Sequence, residues 1–373
     1  MEIRSLFSGF KRNLISIPGW KTKKHLVVFE SDDWGSIRMP SSEIYSRFIS
    51  NGFDIAGSDY NRLDTLESNE DLSRLFEVLT GHKDINGSHA VITANIVVGN
   101  PDFKKIQQSD FTEYYYEPVT DTLKRYSERD RVESLWKEGY SSGFFVPQFH
   151  GREHVNAVRW MKALRKKSPA MMFTFANETT FSGDGDYNFM EVLDYDTPSD
   201  IPFMKESLSE GLNLFEEIFG YRSRSFIAPC YTWNSAVEKT LFDNGVKYLQ
   251  GLLIQSVPTG SFGNYKNKYH WLGSQNRLGQ YYLVRNCFFE PSLSKTTDPV
   301  NECLNRIKIA YRWNKPAVIS THRINFMGSL DVTNREKNLV LFDELLTGIL
   351  KKWPDAEFVT TEKLGDMIAC DQE

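Results

Sequence analysis

A chain of 373 residues that is 40% hydrophobic and 14% aromatic can bury a large core, enough for one large α/β barrel or for two ordinary domains. Its formal net charge of −5, with acids and bases interspersed and no basic stripe, speaks against a nucleic-acid partner. The four cysteines (Cys230, Cys287, Cys303, Cys370) have no CxxC or compact disulfide spacing, and there is neither an export signal nor an apolar run of the ~18 residues that span a bilayer; reduced thiols and a cytoplasmic location are expected.

Residues 1–24 alternate Leu6, Phe7, Phe10, Leu14 and Ile15 with Arg4, Lys11, Arg12, Lys21, Lys23 and Lys24. This basic amphipathic extension reads first as a helix capping a barrel bottom, shortened by Gly9 and Pro18, and second as a segment making weak contact with an anionic membrane surface. From residue 25 to 369, apolar runs of strand length alternate with amphipathic helical stretches, and no linker interrupts them. Strands are expected over 25–29, 90–98, 144–149, 171–175, 225–228, 246–249, 281–286, 317–321 and 357–359, and helices over 71–79, 153–167, 204–219, 235–244, 300–313 and 335–352. The alternation predicts α/β architecture, a distorted (β/α) barrel of about seven or eight parallel strands. Long connections over 40–69, 177–200 and 255–280 are expected at its C-terminal face, where barrels build active sites. The last carries Phe262, Tyr265, Tyr269, His270 and Trp271 among Gly and Asn, a mix that suits sugar rings as well as an ordinary surface loop. Asp184, Asp186, Asp194 and Asp196 lack a calcium-loop ligand series and read as a solvated loop.

Three strand ends deliver chemistry. The first run ends in Glu30-Ser31-Asp32-Asp33-Trp34-Gly35, the third in His150-Gly151-Arg152-Glu153-His154, and the 317–321 run in His322. Imidazoles four residues apart can share one side of a helical turn, and with one carboxylate they make a catalytic divalent-metal site with open positions, zinc being the most plausible ion.

In this order the blocks resemble the polysaccharide deacetylase family, the NodB-homology or carbohydrate esterase family 4 domain of the glycoside hydrolase/deacetylase superfamily. Ser31-Asp32-Asp33-Trp34-Gly35 is similar to its first motif, His150-Gly151-Arg152-Glu153-His154 to its second, Phe226-Ile227-Ala228-Pro229-Cys230-Tyr231 to its third and Ser320-Thr321-His322 to its last; the similarity spans roughly 25–369. The resemblance implies Asp32 as general base, Asp33, His150 and His154 as metal ligands, His322 as general acid, and the Cys230 backbone N–H as oxyanion donor. Pro229, Cys230 and Tyr231, with Trp34 and Arg285, are the candidates for substrate or oxyanion contact. The chain departs from the family at Trp34, inserted before Gly35, at Gly151, at Cys230, and above all at Ile227, where the family's arginine orients the base; Arg222, Arg224, Arg323 or, preferably, Arg285 is expected to replace it. The implied activity is removal of an acetyl group from an N-acetylated sugar or related amide. An amidase acting on a non-carbohydrate C–N bond and a catalytically altered carbohydrate-binding protein are the alternatives.

Overall fold

β1 (Leu26–Trp34) is the central strand, and all nine of its residues are buried. Strand alternation divides them: Val27 and Phe29 join the large core beneath the surrounding helices, while Leu26 and Val28 join a separate cluster with Val318, Leu283 and Tyr248 on the inner side. The computed structural model describes residues 13, 17–183, 189–261, 263–293 and 296–372.

The remaining strands of this sheet are β2 (Ile92–Val97), β3 (Phe145–Gly151), β4 (Ser225–Ile227), β5 (Tyr248–Gly251), β6 (Tyr281–Val284), β7 (Cys287–Phe288), β8 (Ala317–His322) and β9 (Glu357–Phe358). They run in the order β6-β5-β4-β3-β2-β1-β8-β7, every pairing parallel, with β9 against the start of β1. The strands at the two ends of that order are consecutive halves of one segment. Arg285 N donates to Gly251 O (2.9 Å) on one side and Asn286 N to Val318 O (3.0 Å) on the other, so the curled sheet meets itself at Arg285 and Asn286. This is a distorted (β/α) barrel, and Arg285 sits in its seam.

Helices cover the outer face, started by local caps: Ser68 and Asp71 form a capping box for Asn69–Gly81, and Asp298 with Pro299 opens Pro299–Arg312. At the N-terminal end of the strands, Thr361–Gln372 inserts Leu364 and Ile368 beneath Leu26 and Val28. Of the N-terminal extension, residues 1–12 and 14–16 lie outside the described residues. No helix among the described residues is long and apolar enough to cross a membrane.

Two expectations need correction. The run over 171–175 is helical, within Pro169–Ala176; Ser168 accepts from Met171 N and Pro169 occupies the first turn, so a start signal outweighs an apolar stretch of ambiguous period. The segment over 255–280 contains the antiparallel hairpin Ile254–Pro258 and Tyr265–Tyr269 rather than an irregular loop. The connection over 40–69 contains helices Ser42–Ser50 and Asp59–Leu63, and it reaches the 169–183 segment through a phenylalanine cluster in which Phe53 stacks on Phe173 at 5.0 Å and Phe48 meets it edge-on at 5.2 Å.

Candidate active site

Neighbouring residues of a regular strand point to opposite faces, so Asp32 and Asp33 cannot both face the barrel mouth without a break in β1. The break is present. The β1–β2 register shifts between Ser31 and Trp34, and Asp33 takes a left-handed backbone (φ 76°), with Gly35 beyond it also left-handed (φ 77°). Both carboxylates then line a cavity of about 920 Å³ together with His150, His154, Cys230 and His322, within the size range of small-molecule sites.

His150 is the last residue but one of β3 and His154 lies in the bend that follows, so the pair is not on a helical turn as its spacing suggests; helix Ala157–Leu164 begins only after His154. Gly151 (φ 130°) turns the chain, and the buried side chains of Arg152 and Glu153 anchor it, Arg152 Nε donating to Glu153 Oε2 (2.6 Å) with its guanidinium 4.2 Å from the Tyr116 ring centre. His150 Nε2 and His154 Nε2 lie 3.3 Å and 3.0 Å from the same oxygen, Asp33 Oδ1. One ligand atom from each of the three buried residues falls within 4.8 Å of the others.

The donor set fits a divalent ion on chemical grounds. His150 Nδ1 is 2.9 Å from the Ile227 carbonyl and donates to it, which orients the ring so that Nε2 faces the Asp33 carboxylate. Two imidazole nitrogens and one carboxylate oxygen gathered this closely are a donor set that suits a borderline divalent ion. Burial pushes His154 down to about 4 despite the pull of Asp33, which keeps the ring neutral at pH 7, and its Nδ1 is buried without a partner among the described residues. Ile227 thus contributes a backbone carbonyl that orients the His150 ring. Asp33 Oδ2 is turned away toward Arg38 Nη2 (3.2 Å).

On the other side of the mouth, Arg285 grips Asp32 with both prongs, Nη1 to Oδ2 (2.6 Å) and Nη2 to Oδ1 (2.7 Å), while its Nε donates to Glu30 Oε2 (2.6 Å). Asn95 Nδ2 adds a third bond to Asp32 Oδ1 (2.7 Å). Burial opposes the Asp32 charge, but Arg285 outweighs it and holds the carboxyl below its usual range. The other candidate arginines are occupied elsewhere: Arg222 with Glu216, Arg224 with Asp366, and Arg323 with Asp64 and Glu67.

His322 Nε2 stands 3.8 Å from Asp32 Oδ2, and Nδ1 lies 2.6 Å from Glu290 Oε1, whose other oxygen accepts from Asn325 Nδ2 (2.8 Å). Burial disfavours the imidazolium, yet Glu290 and the two aspartates raise its pKa to about 10. Glu290, Asn95, Glu30 and Arg38 were not among the sequence candidates. Of these, only Glu30 left a usable signal: it lies two residues before Asp32 and so on the same face of β1.

In the third motif, Cys230 and Tyr231 are consecutive non-glycine residues with left-handed backbones (φ 54° and 55°), a strain of order ~1–3 kcal/mol each of the kind found at functional turns. Tyr231 N donates to Ala228 O and Thr232 N to Pro229 O, which spends those two donors and leaves the Cys230 N–H as the backbone donor available for an oxyanion. Cys230 and Tyr231 line the cleft, and Arg285 Nη1 also reaches the Tyr231 hydroxyl (3.2 Å); Pro229 is buried under the turn rather than at the wall.

Trp34 is not a substrate-contact residue. It is fully buried, its Nε1 donates to Ser31 Oγ (3.0 Å), and it packs edge-on against Phe145, because the bulge that turns Asp33 into the mouth sends Trp34 to the core. The aromatic segment over 255–280 is also absent from the described cleft wall: His270 stacks on Tyr282 (3.6 Å) and Trp271 lines a separate cavity, while Phe262 lies outside the described residues. Asp194 and Asp196 pair with Arg159 instead of facing solvent as a free acidic loop; Asp184 and Asp186 lie outside the described residues.

No protein-family model matches the sequence, and neither does any curated protein. Among solved structures, polysaccharide deacetylases recur. One from Mycobacterium smegmatis so assigned matches at 11% identity over 95% of this chain and 94% of that one, with a TM-score of 0.46. Another, from Pseudomonas aeruginosa, matches at 9% identity over 92% and 91% (TM-score 0.46), and the allantoinase PuuE at 11% identity over 94% and 93% (TM-score 0.45). Identities this low speak to neither reaction nor substrate.

Proposed function

We propose that the protein is a metal-dependent hydrolase that removes an acetyl group from an N-acetylated sugar or a related amide. The observation that carries this reading is the convergence of two imidazoles on one oxygen of Asp33, with a second, arginine-held carboxylate and a protonated histidine at the same mouth. A divalent ion on Asp33, His150 and His154, zinc in the simplest case, would supply Lewis acidity toward the amide carbonyl and toward a water. Asp32, ionised and fixed by Arg285 and Asn95, accepts the water proton. His322, protonated on Nε2 and steered by Glu290, gives a proton to the departing amine. The Cys230 N–H is the donor for the oxyanion that forms as the carbonyl is attacked. With the aromatic hairpin away from the cleft, sugar loses its particular support, and an amidase acting on a non-carbohydrate C–N bond uses the same residues.

Metal analysis of the purified protein, coupled to acetate release from N-acetylated sugars and N-acetylated small amines, tests the proposal. One divalent ion per chain and metal-dependent acetate release are expected; a protein that binds no ion and releases none would refute it.

Glu290 gives a pH-based check. Its carboxylate holds His322 charged up to about 10, so the general acid stays protonated through neutral pH. In Glu290→Gln that support is lost while the desolvation remains, the His322 pKa falls, and the alkaline limb of kcat/KM moves to lower pH with metal content unchanged. A pH–rate profile whose alkaline limb does not move would remove His322 from the acid role.

A further inference from the structure

We infer that Arg38 recognises an anionic group, a carboxylate or a phosphate, on the substrate close to the scissile amide; this rests on the proposed amide hydrolysis at the Asp33 site. Arg38 follows the bulge of β1, and its side chain, 13% exposed, forms part of the cleft wall. Its guanidinium lies 5.4 Å from the Tyr60 ring centre, which fixes the plane. Of its five N–H donors, one on Nη2 goes to Asp33 Oδ2 (3.2 Å); Nε is 3.4 Å from Asp64 Oδ2 but forms no hydrogen bond. Nη1 points at the thioether of Met190 (2.8 Å), a weak acceptor that a substrate oxygen would outcompete.

Asp33 turns Oδ1 to the imidazoles and Oδ2 to Arg38, so Arg38 and the two imidazoles share one carboxylate.

Calorimetric titration of the zinc-loaded protein with two matched pairs tests this: N-acetylglycine against N-acetylglycinamide, and N-acetylglucosamine 6-phosphate against N-acetylglucosamine. The charged member of at least one pair is expected to bind roughly 10- to 100-fold more tightly, the range for a charge-assisted hydrogen bond, and the pair that responds distinguishes carboxylate from phosphate. Arg38→Gln should remove most of that preference and Arg38→Lys should keep part of it, with zinc content, measured separately, retained. Equal affinities within both pairs, equal weakening of both members by Arg38→Gln, or loss of zinc from that variant would overturn the inference, the last by assigning Arg38 to Asp33 alone. Anion preference lost in Arg38→Gln but without acetate release from any compound would sink the deacetylation reading and leave only anion binding by Arg38 standing.

Discussion

Asp33→Asn is expected to abolish tight divalent-metal binding and, with it, turnover. Asp33 is the one anionic member of the ligand set, and its Oδ1 lies within 3.3 Å of both imidazole Nε2 atoms. An asparagine keeps the shape but offers a neutral oxygen in place of the charge, so affinity should fall by more than the ~10- to 100-fold that loss of an outer-shell partner costs. The buried imidazoles of His150 and His154 cannot compensate, since neither brings negative charge to the site. The competing reading is that the three residues simply hold one another in a hydrogen-bonded cluster. In that case wild-type protein takes up no stoichiometric zinc, and Asp33→Asn changes only stability. Metal content by elemental analysis after chelation and reloading, beside a thermal melt of both proteins, separates the two, and a variant that still binds one zinc per chain would remove Asp33 from the ligand set.

The parts of this site that were legible in the sequence are those in which chemistry sits at the end of an apolar run. Asp32, Asp33, His150 and His322 each lie within the last three residues of a strand in the structure, and Arg285 lies directly after β6. Local pattern could not supply the break in β1. A period of two puts adjacent acids on opposite faces, and only the tertiary register shift between Ser31 and Trp34 brings both to the mouth while sending Trp34 inward. The His150–His154 spacing fits a helix and is met by a strand end and a glycine turn instead, because Gly151 and the buried Arg152–Glu153 pair fix the chain there. Asn95 and Glu290 were invisible for a different reason: each is a common polar residue, 63 and 32 positions from the group that it holds. The aromatic residues of 255–280 misled because composition reports what a segment can bind, whereas stacking of His270 on Tyr282 and the Ile254–Tyr269 pairing of the hairpin decide where it sits.

Removal of the Arg285 guanidinium should cost both the fold and the reaction, and the two losses are separable. Arg285 is wholly buried between Glu30 and Asp32, at 2.6 Å from each, in the seam where the curled sheet meets itself. Arg285→Ala strands two carboxylates in the interior, and breaking a buried pair by deleting one partner typically costs ~3–5 kcal/mol. The melting temperature should drop accordingly, which would by itself lower activity. A double variant, Arg285→Met with Glu30→Gln, removes one of the stranded charges and refills the volume, so part of the stability should return. Turnover should not return with it, because Asp32 has lost the fork that fixes both its oxygens, and general-base catalysis worth ~10²- to 10⁴-fold depends on that orientation. Arg285→Lys is the complementary case: it keeps a charge between the acids but offers no planar fork, and is expected to recover more stability than activity. If the double variant instead regains acetate release in proportion to its stability, with zinc content equal in both proteins, then Asn95 and a metal charge suffice to hold Asp32 and Arg285 is a structural clasp of the barrel seam alone.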